Sequence, residues 1–107
     1  MIIDIENIRL LCTNETITLT KHAGDQIRQR GIKFKHIKAV IINGEIIEEY
    51  PDEYPNPRVL ILGYIDEASP MHVVVGIGDW NIQIITAYYP THEKWENDYK
   101  TRKGCLK

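Results

Sequence analysis

The first part of the chain alternates between helical and extended spacing of its apolar residues. Apolar side chains recur at helical spacing over residues 2–12, which predicts an amphipathic opening helix. The stretch TITLT alternates apolar residues with threonine, which is the period of a half-buried strand. The spacing then becomes helical again, which predicts one short helix from His22 to Gly31 and a second that ends at Gly44.

Beyond Gly44 the pattern is that of strands. Four segments rich in β-branched and aromatic residues are separated by short turns: EIIEEY, RVLILGYI, MHVVVGI and IQIITAYY. Because these connections are too short for helical crossovers, we expect the segments to form an antiparallel meander. In the final stretch Trp95 and Tyr99 are one helical turn apart, which predicts a short C-terminal helix.

The predicted fold class is therefore α+β, with N-terminal helices packed on one face of a mostly antiparallel sheet of four to five strands. A chain of 107 residues with 43% hydrophobic and 26% charged residues is expected to form one domain, residues 1–107. Its two distant cysteines predict neither a disulfide framework nor a zinc site, and they indicate a reducing cytoplasm. We expect no signal peptide and no membrane span, since no apolar run approaches roughly 18 residues.

Charge is segregated along a nearly neutral chain. The net charge of −2 argues against a general electrostatic nucleic-acid binder. Residues 21–38 nevertheless hold six basic residues and one acidic residue, residues 45–53 hold five acidic residues and no basic one, and residues 100–107 add four basic residues. If the basic helices and the basic tail share a face, they form an anion-attracting patch. The alternative is that these charges simply solvate the helices.

The helix that begins at His22 carries a candidate phosphate site. On an ideal helix Gln26 lies about 40° and Arg30 about 80° around from His22, so the three side chains form one polar stripe. Free backbone amides in the first turn also attract anions. The alternative is that His22 is a boundary residue that makes a local hydrogen bond.

A second histidine, His72, interrupts an otherwise apolar strand. If the hairpin pairs Val74 with Thr86, His72 falls opposite Tyr88 on the same sheet face, with Thr86 beside them. A half-buried imidazole needs a hydrogen-bond partner. The alternative to a functional role is a core histidine bonded to a tyrosine hydroxyl for packing alone.

Two histidines, an arginine and a tyrosine, without a carboxylate cluster, suit metal-independent cleavage of RNA. One group takes the proton of the ribose 2′-hydroxyl, another protonates the leaving 5′ oxygen, and a cation stabilises the charged phosphorane. Histidine can do either proton transfer near neutral pH, and arginine binds phosphate bidentately. We expect no metal and no cofactor.

Four stretches of the chain also occur, in the same order, in a known family: ITLTKHAGDQIRQRGI, NGEIIEEYPDEYPNPRVLILGY, MHVVVGI and IITAYYPTHEKWENDYKTRK. They resemble the bacterial and archaeal domain of unknown function 4258 family. The resemblance covers residues 17–103 and leaves the opening helix outside. This family is similar to small ribonuclease toxins of the BrnT and RelE types, which implies an RNase-toxin-like fold and an antitoxin-like protein partner.

The resemblance also points to particular residues. The family's most recognisable polar positions fall on His22, Arg30, His72, Thr86 and Tyr88. The chain departs from the family pattern in two places. Gln26 stands where an arginine is usual, which removes one phosphate contact, and Lys33 stands where a Thr or Ser cap usually opens the second helix.

Two hypotheses of different classes follow. The first is a metal-independent ribonuclease of toxin–antitoxin type, with His22 and His72 as acid and base, Arg30 as phosphate clamp, and Thr86 and Tyr88 as orienting donors. The second is a non-catalytic module that binds RNA or an acidic protein through its basic face, and a less favoured third is a small-molecule pocket. The residues expected to bind substrate are Lys21, Gln26, Arg28 and Arg102. The opening helix would serve a partner contact or a homodimer.

Overall fold

The computed structural model describes residues 4–13, 16–54 and 56–103. The elements found there, in chain order, are α1 (Ile5–Thr13), β1 (Ile17–Leu19), α2 (Lys21–Gln29), α3 (Phe34–Asn43), β2 (Glu45–Tyr50), β3 (Arg58–Tyr64), β4 (Pro70–Ile77) and β5 (Ile82–Tyr88). The predicted α+β class is confirmed. Helix α1 starts at Ile5. Residues 2 and 3, with which the predicted opening helix begins, lie outside the described residues.

The five strands form one mixed sheet in the order β1-β5-β4-β3-β2. Strands β2 to β5 form the predicted antiparallel meander. The short β1 pairs parallel with β5, from Ile17 opposite Ile82 to Leu19 opposite Ile84. This parallel pair joins segments far apart in sequence, which local apolar periodicity cannot reveal. The sheet is therefore mixed at one edge.

The hairpin of β4 and β5 has the predicted register. Val74 lies opposite Thr86, and His72 lies opposite Tyr88. A bulge after Val74 inserts Ile85 into β5, so the alternation of side chains shifts at that point. The bulge leaves His72 and Tyr88 on the same face.

The helices pack on one face of the sheet, as predicted. Helix α3 contributes the buried Ile37, Val40 and Ile41, which join alternate apolar residues of the strands in one core. The other sheet face carries Leu60, Leu62, His72, Val74, Thr86 and Tyr88. This second face is crossed by residues 90–103, which we call the C-terminal strap.

The strap does not form the predicted C-terminal helix. It makes a turn over residues 92–94 and an antiparallel bridge between Trp95 and Arg102. The Asp98 carboxylate accepts hydrogen bonds from the amides of Lys100 and Thr101, which favours a turn over a continuing helix. Tyr99 has a left-handed backbone with φ 59°, which a helix does not allow.

Close packing of α3 on β3 predicts the effect of a matched pair of glycine substitutions. A Cβ at Gly63 would lie 2.9 Å from the Cα of Val40, so Gly63→Ala should lower the free energy of unfolding by about 1–3 kcal/mol. A Cβ at Gly24, inside α2, would meet only ordinary contacts at 3.6 Å. Gly24→Ala should therefore raise the free energy of unfolding by roughly 0.5–1 kcal/mol. Guanidinium denaturation measures both, and equal stability of the two variants would contradict this packing.

Candidate nucleic-acid interface

A cleft of about 490 Å³ opens between the end of α2, the end of β5 and the C-terminal strap. Its lining residues are Arg30, Tyr88, Tyr89, Pro90, Thr91, Glu93, Lys94, Trp95 and Arg102. Three cations and one carboxylate thus share the cleft with aromatic side chains. Such a mixture suits an anionic ligand that also carries an aromatic group.

Arg30 is the C-cap of α2 and is fixed to the edge of β5. Its Nη1 donates to the Ala87 carbonyl oxygen at 2.8 Å and to Thr86 Oγ1 at 3.1 Å. Thr86 Oγ1 in turn donates to Gln26 Oε1 at 2.8 Å. Within the described ranges Nε and Nη2 of Arg30 make no hydrogen bond. One side of the guanidinium is therefore held by the protein, and its remaining donors can bind a ligand.

Helix α2 begins where it does because Thr20 caps it. Thr20 Oγ1 accepts a hydrogen bond from the Ala23 amide at 3.0 Å. The cap turns the chain immediately after β1, so α2 runs beside β5. Arg30, at the C-terminal end of α2, therefore lies at the cleft. Lys33 at the start of α3 makes no side-chain cap, in line with the departure noted in the sequence.

His72 lies behind Tyr88 and is fully buried. Its Nε2 is 2.8 Å from the Tyr99 carbonyl oxygen, and its Nδ1 is 3.2 Å from the Tyr88 hydroxyl. A carbonyl oxygen can only accept, so Nε2 carries the hydrogen and donates it. Burial lowers the pKa of His72, although the Tyr99 carbonyl opposes this shift. The imidazole is therefore neutral at pH 7, and its Nδ1 accepts the hydroxyl hydrogen of Tyr88.

The strap is attached to the sheet around this imidazole. The ring of Trp95 packs edge-on against His72, with centroids 4.5 Å apart. The Arg102 guanidinium lies 4.7 Å from the centroid of the Trp95 ring and donates to both carboxylate oxygens of Glu48, at 2.8 and 2.9 Å. These bonds hold the pKa of the Glu48 carboxyl below its usual range, although partial burial opposes them. The strap thus forms one wall of the cleft.

The basic tail meets the acidic strand and not the basic helices. Lys100 pairs with Glu45 at 3.0 Å, and Arg102 pairs with Glu48. Two of the four positive charges of the tail are therefore paired with carboxylates of β2. Among the described residues of the tail, Arg102 lines the same cleft as Arg30.

The structure brings together some of the predicted site residues. Arg30, Tyr88 and Arg102 line the cleft, whereas Gln26 and Thr86 support Arg30 from beneath. His72 supports Tyr88 from within the sheet and does not itself line the cleft.

The other predicted residues lie elsewhere on α2. Lys21 and Arg28 both pair with Asp25 on the surface of the helix. His22 is exposed in the first turn and does not line the cleft. The predicted polar stripe therefore reaches the cleft only at its C-terminal residue, Arg30, and His22 at the other end of α2 lies outside the cleft.

Several residues of the site were not singled out from the sequence. Glu48 lies in the predicted strand EIIEEY and Trp95 in the predicted C-terminal helix, and neither is predicted to contribute to a site. The sequence does contain one signal for these residues. An isolated tryptophan stands in a polar tail, and the basic residues of that tail complement the acidic strand EIIEEY. Burial of the tryptophan and attraction between opposite charges both favour folding of such a tail onto that strand.

Two further observations concern the described residues alone. They contain no group of three or more His, Cys, Asp or Glu side chains placed to hold a metal ion. Their helices are all too short or too polar to cross a membrane.

The fold and cleft define a small α+β protein with an arginine-lined groove at the open edge of its sheet. The model of the family described as Domain of unknown function (DUF4258) matches residues 19–89, and the chain belongs to this family. The match includes Arg30, His72, Thr86 and Tyr88, and it ends where the strap begins. No curated protein and no solved structure matches the chain.

Burial of His72 predicts a pH-dependent stability. Because the pKa of His72 in the folded protein lies below its ordinary value of 6.5, the unfolded chain takes up this proton first as the pH falls. The free energy of unfolding should therefore decrease below about pH 6.5, by at most about 1.4 kcal/mol per pH unit. Urea denaturation between about pH 5 and 8 measures this slope.

The His72→Gln variant is the control, since it has no ionisable group at this position. It should lose most of the slope above about pH 5, because the Glu48 contribution is lost only below the ordinary carboxyl pKa of 4.5. A variant slope equal to that of the wild type would contradict the assignment to His72.

Proposed function

We propose that this protein binds single-stranded RNA in the cleft, with a backbone phosphate held between Arg30 and Arg102. The observation that carries the proposal is the presence of two arginines on opposite walls of one cleft, each anchored on one side by the protein. Arginine matches the geometry of phosphate and stays charged at any physiological pH.

The aromatic lining favours a nucleic-acid strand over a free anion. Tyr89 is partly exposed beside Tyr88, and both line the cleft. Exposed aromatic faces next to cations are typical of proteins that bind single-stranded nucleic acid, because bases stack on the rings while the cations hold phosphate. The cleft volume of about 490 Å³ is that of an ordinary ligand site.

The charge distribution keeps this interaction local. Carboxylates of the acidic β2 strand pair with Lys100 and Arg102, and the net charge of the chain is −2. Binding should therefore depend on a few phosphate contacts and not on a broad electrostatic surface. Affinity then depends on the individual side chains of the cleft.

Replacement of Arg30 tests the proposal. Arg30→Ala should weaken binding of a fluorescent single-stranded RNA about 10- to 100-fold, because a charge-assisted hydrogen bond is lost. It should also reduce the slope of log Kd against log salt by roughly 0.7, the loss of one phosphate contact. Fluorescence anisotropy at several salt concentrations measures both quantities.

Lys35→Ala is the matched control, since it removes one positive charge from the exposed surface of α3 outside the cleft. It should change affinity by less than about 2-fold. Thermal melts must show that Arg30→Ala remains folded, because Arg30 also bonds Ala87 and Thr86. Equal loss of binding in the two variants would place the RNA elsewhere.

A metal-independent ribonuclease of toxin–antitoxin type is the second candidate, and it is favoured by Glu93 and Lys94, which line the same cleft as Arg30 and Arg102. In such a reaction the 2′ oxygen attacks phosphorus and the bond from phosphorus to the 5′ oxygen breaks. A base takes the 2′ proton and an acid protonates the 5′ oxygen. Neither His22 nor His72 lines the cleft, so this proposal assigns the proton transfers to Glu93 as base and Lys94 as acid, with Tyr88 as orienting group.

Cleavage by this route should persist in excess chelator and leave a 2′,3′-cyclic phosphate, because the nucleophile is the ribose itself. Glu93→Gln should lower the cleavage rate about 10²- to 10⁴-fold while RNA binding remains measurable. Glu96→Gln makes the same change on the strap outside the cleft and should cleave as the wild type does. Product analysis by mass spectrometry identifies the cyclic phosphate. RNA binding without any cleavage would leave the non-catalytic module as the function.

A further inference from the structure

We propose that the cleft distinguishes ribose from deoxyribose, because the Tyr88 oxygen accepts a hydrogen bond from the 2′-hydroxyl of the bound nucleotide. This inference rests on the proposed binding of RNA in the cleft. It assigns Tyr88 as the residue that determines sugar specificity and His72 as the residue that positions it.

The direction of the hydrogen bonds follows from one carbonyl group. The Tyr99 carbonyl oxygen lies 2.8 Å from His72 Nε2 and must accept, so the hydrogen of the neutral imidazole is on Nε2. Nδ1 is left with a lone pair, 3.2 Å from the Tyr88 hydroxyl. The Tyr88 hydrogen is donated to that lone pair. The Tyr88 oxygen therefore has only lone pairs to offer a ligand.

The surroundings of His72 hold this arrangement in place. The ring is fully buried, Trp95 packs on it, and both of its nitrogens are bonded. A rotation of the ring would leave the Tyr99 carbonyl without its donor in a buried place, which is costly. Protonation of the imidazole would reverse the Tyr88 bond, but burial lowers the pKa of His72 while the charges of Glu48 and Arg102 act on it in opposite directions.

Because the Tyr88 oxygen can only accept a hydrogen bond, it interacts differently with the phosphate and with the sugar of a nucleotide. Phosphate oxygens can only accept, so they gain nothing from the Tyr88 oxygen and are bound by the neighbouring guanidinium groups of Arg30 and Arg102. A 2′-hydroxyl can donate, and deoxyribose has no such group. Burial raises the pKa of Tyr88, so its hydroxyl keeps the hydrogen that it donates to His72. The cleft thus has donors for phosphate and an acceptor for ribose.

Binding of three matched oligonucleotides tests this inference. The probes are fluorescent 12-nucleotide oligouridylate, the deoxy oligomer of the same sequence, and the 2′-fluoro oligomer, whose sugar resembles ribose but cannot donate. The wild type should bind the RNA about 10-fold more tightly than either of the others, the effect of one lost hydrogen bond. Gel electrophoresis after each titration must show that the RNA is intact.

Tyr88→Phe should remove this preference by weakening RNA binding alone. Tyr54→Phe makes the same change on an exposed residue of the β2–β3 turn and should keep the wild-type preference. Nitrogen NMR of the imidazole of His72 gives a measurement that does not depend on any variant. It should show hydrogen on Nε2 and none on Nδ1 at pH 7.

Each contrary outcome has a separate meaning. Equal binding of the three oligomers, with the Arg30 dependence retained, would overturn the sugar preference and leave RNA binding intact. The same holds if Tyr88→Phe keeps the preference, or if NMR finds hydrogen on Nδ1. Failure of all three probes to bind would overturn the proposed function and this inference together.

Discussion

The two hydrogen bonds of the buried His72 imidazole are the interaction on which the cleft depends. They join three parts of the chain, since His72 lies on β4, Tyr88 on β5 and Tyr99 in the strap. An imidazole buried without partners would cost about 1–3 kcal/mol for each unpaired nitrogen. The bond from Nε2 to the Tyr99 carbonyl oxygen offsets the left-handed backbone of Tyr99, which costs roughly 1–2 kcal/mol. With the strap placed in this way, Trp95 and Arg102 form a wall opposite Arg30.

Only one wall of the cleft lies within the region that matches the family. The match to the family covers α2 and β5, which carry Arg30 and Tyr88, and it ends before the strap that carries Lys94, Trp95 and Arg102. In the proposed RNA complex, the family region provides Arg30 and Tyr88, and the strap provides the second phosphate contact, Arg102.

Much of the fold could be predicted because its signals are local. Alternation in MHVVVGI and IQIITAYY predicts a hairpin, and His72 lies opposite Tyr88 because the hairpin pairs Val74 with Thr86, a register that alternation alone does not fix. The parallel pairing of β1 and the path of the strap depend on contacts between distant residues, such as Arg102 with Glu48, and no local period encodes them. The candidate site could be predicted only in part, because local spacing places residues on one helix but does not show where a cleft opens. A helical stripe places Arg30 near Gln26, but it does not show that the cleft opens at one end of the helix and leaves His22 outside.

Arg30 also affects whether the edge of the sheet can pair with a strand of another chain. Strand β1 ends opposite Ile84, so among the described residues no strand lies beside the outer side of β5 beyond that point. The Arg30 guanidinium donates to the Ala87 carbonyl oxygen there. An uncovered strand edge is a template for pairing with another chain. At the opposite edge, β2 exposes Glu45 and Glu49, and a second β2 aligned with it would bring carboxylates together. Growth of the sheet into an aggregate is thus opposed at both ends, at one of them by a side chain that also lines the cleft.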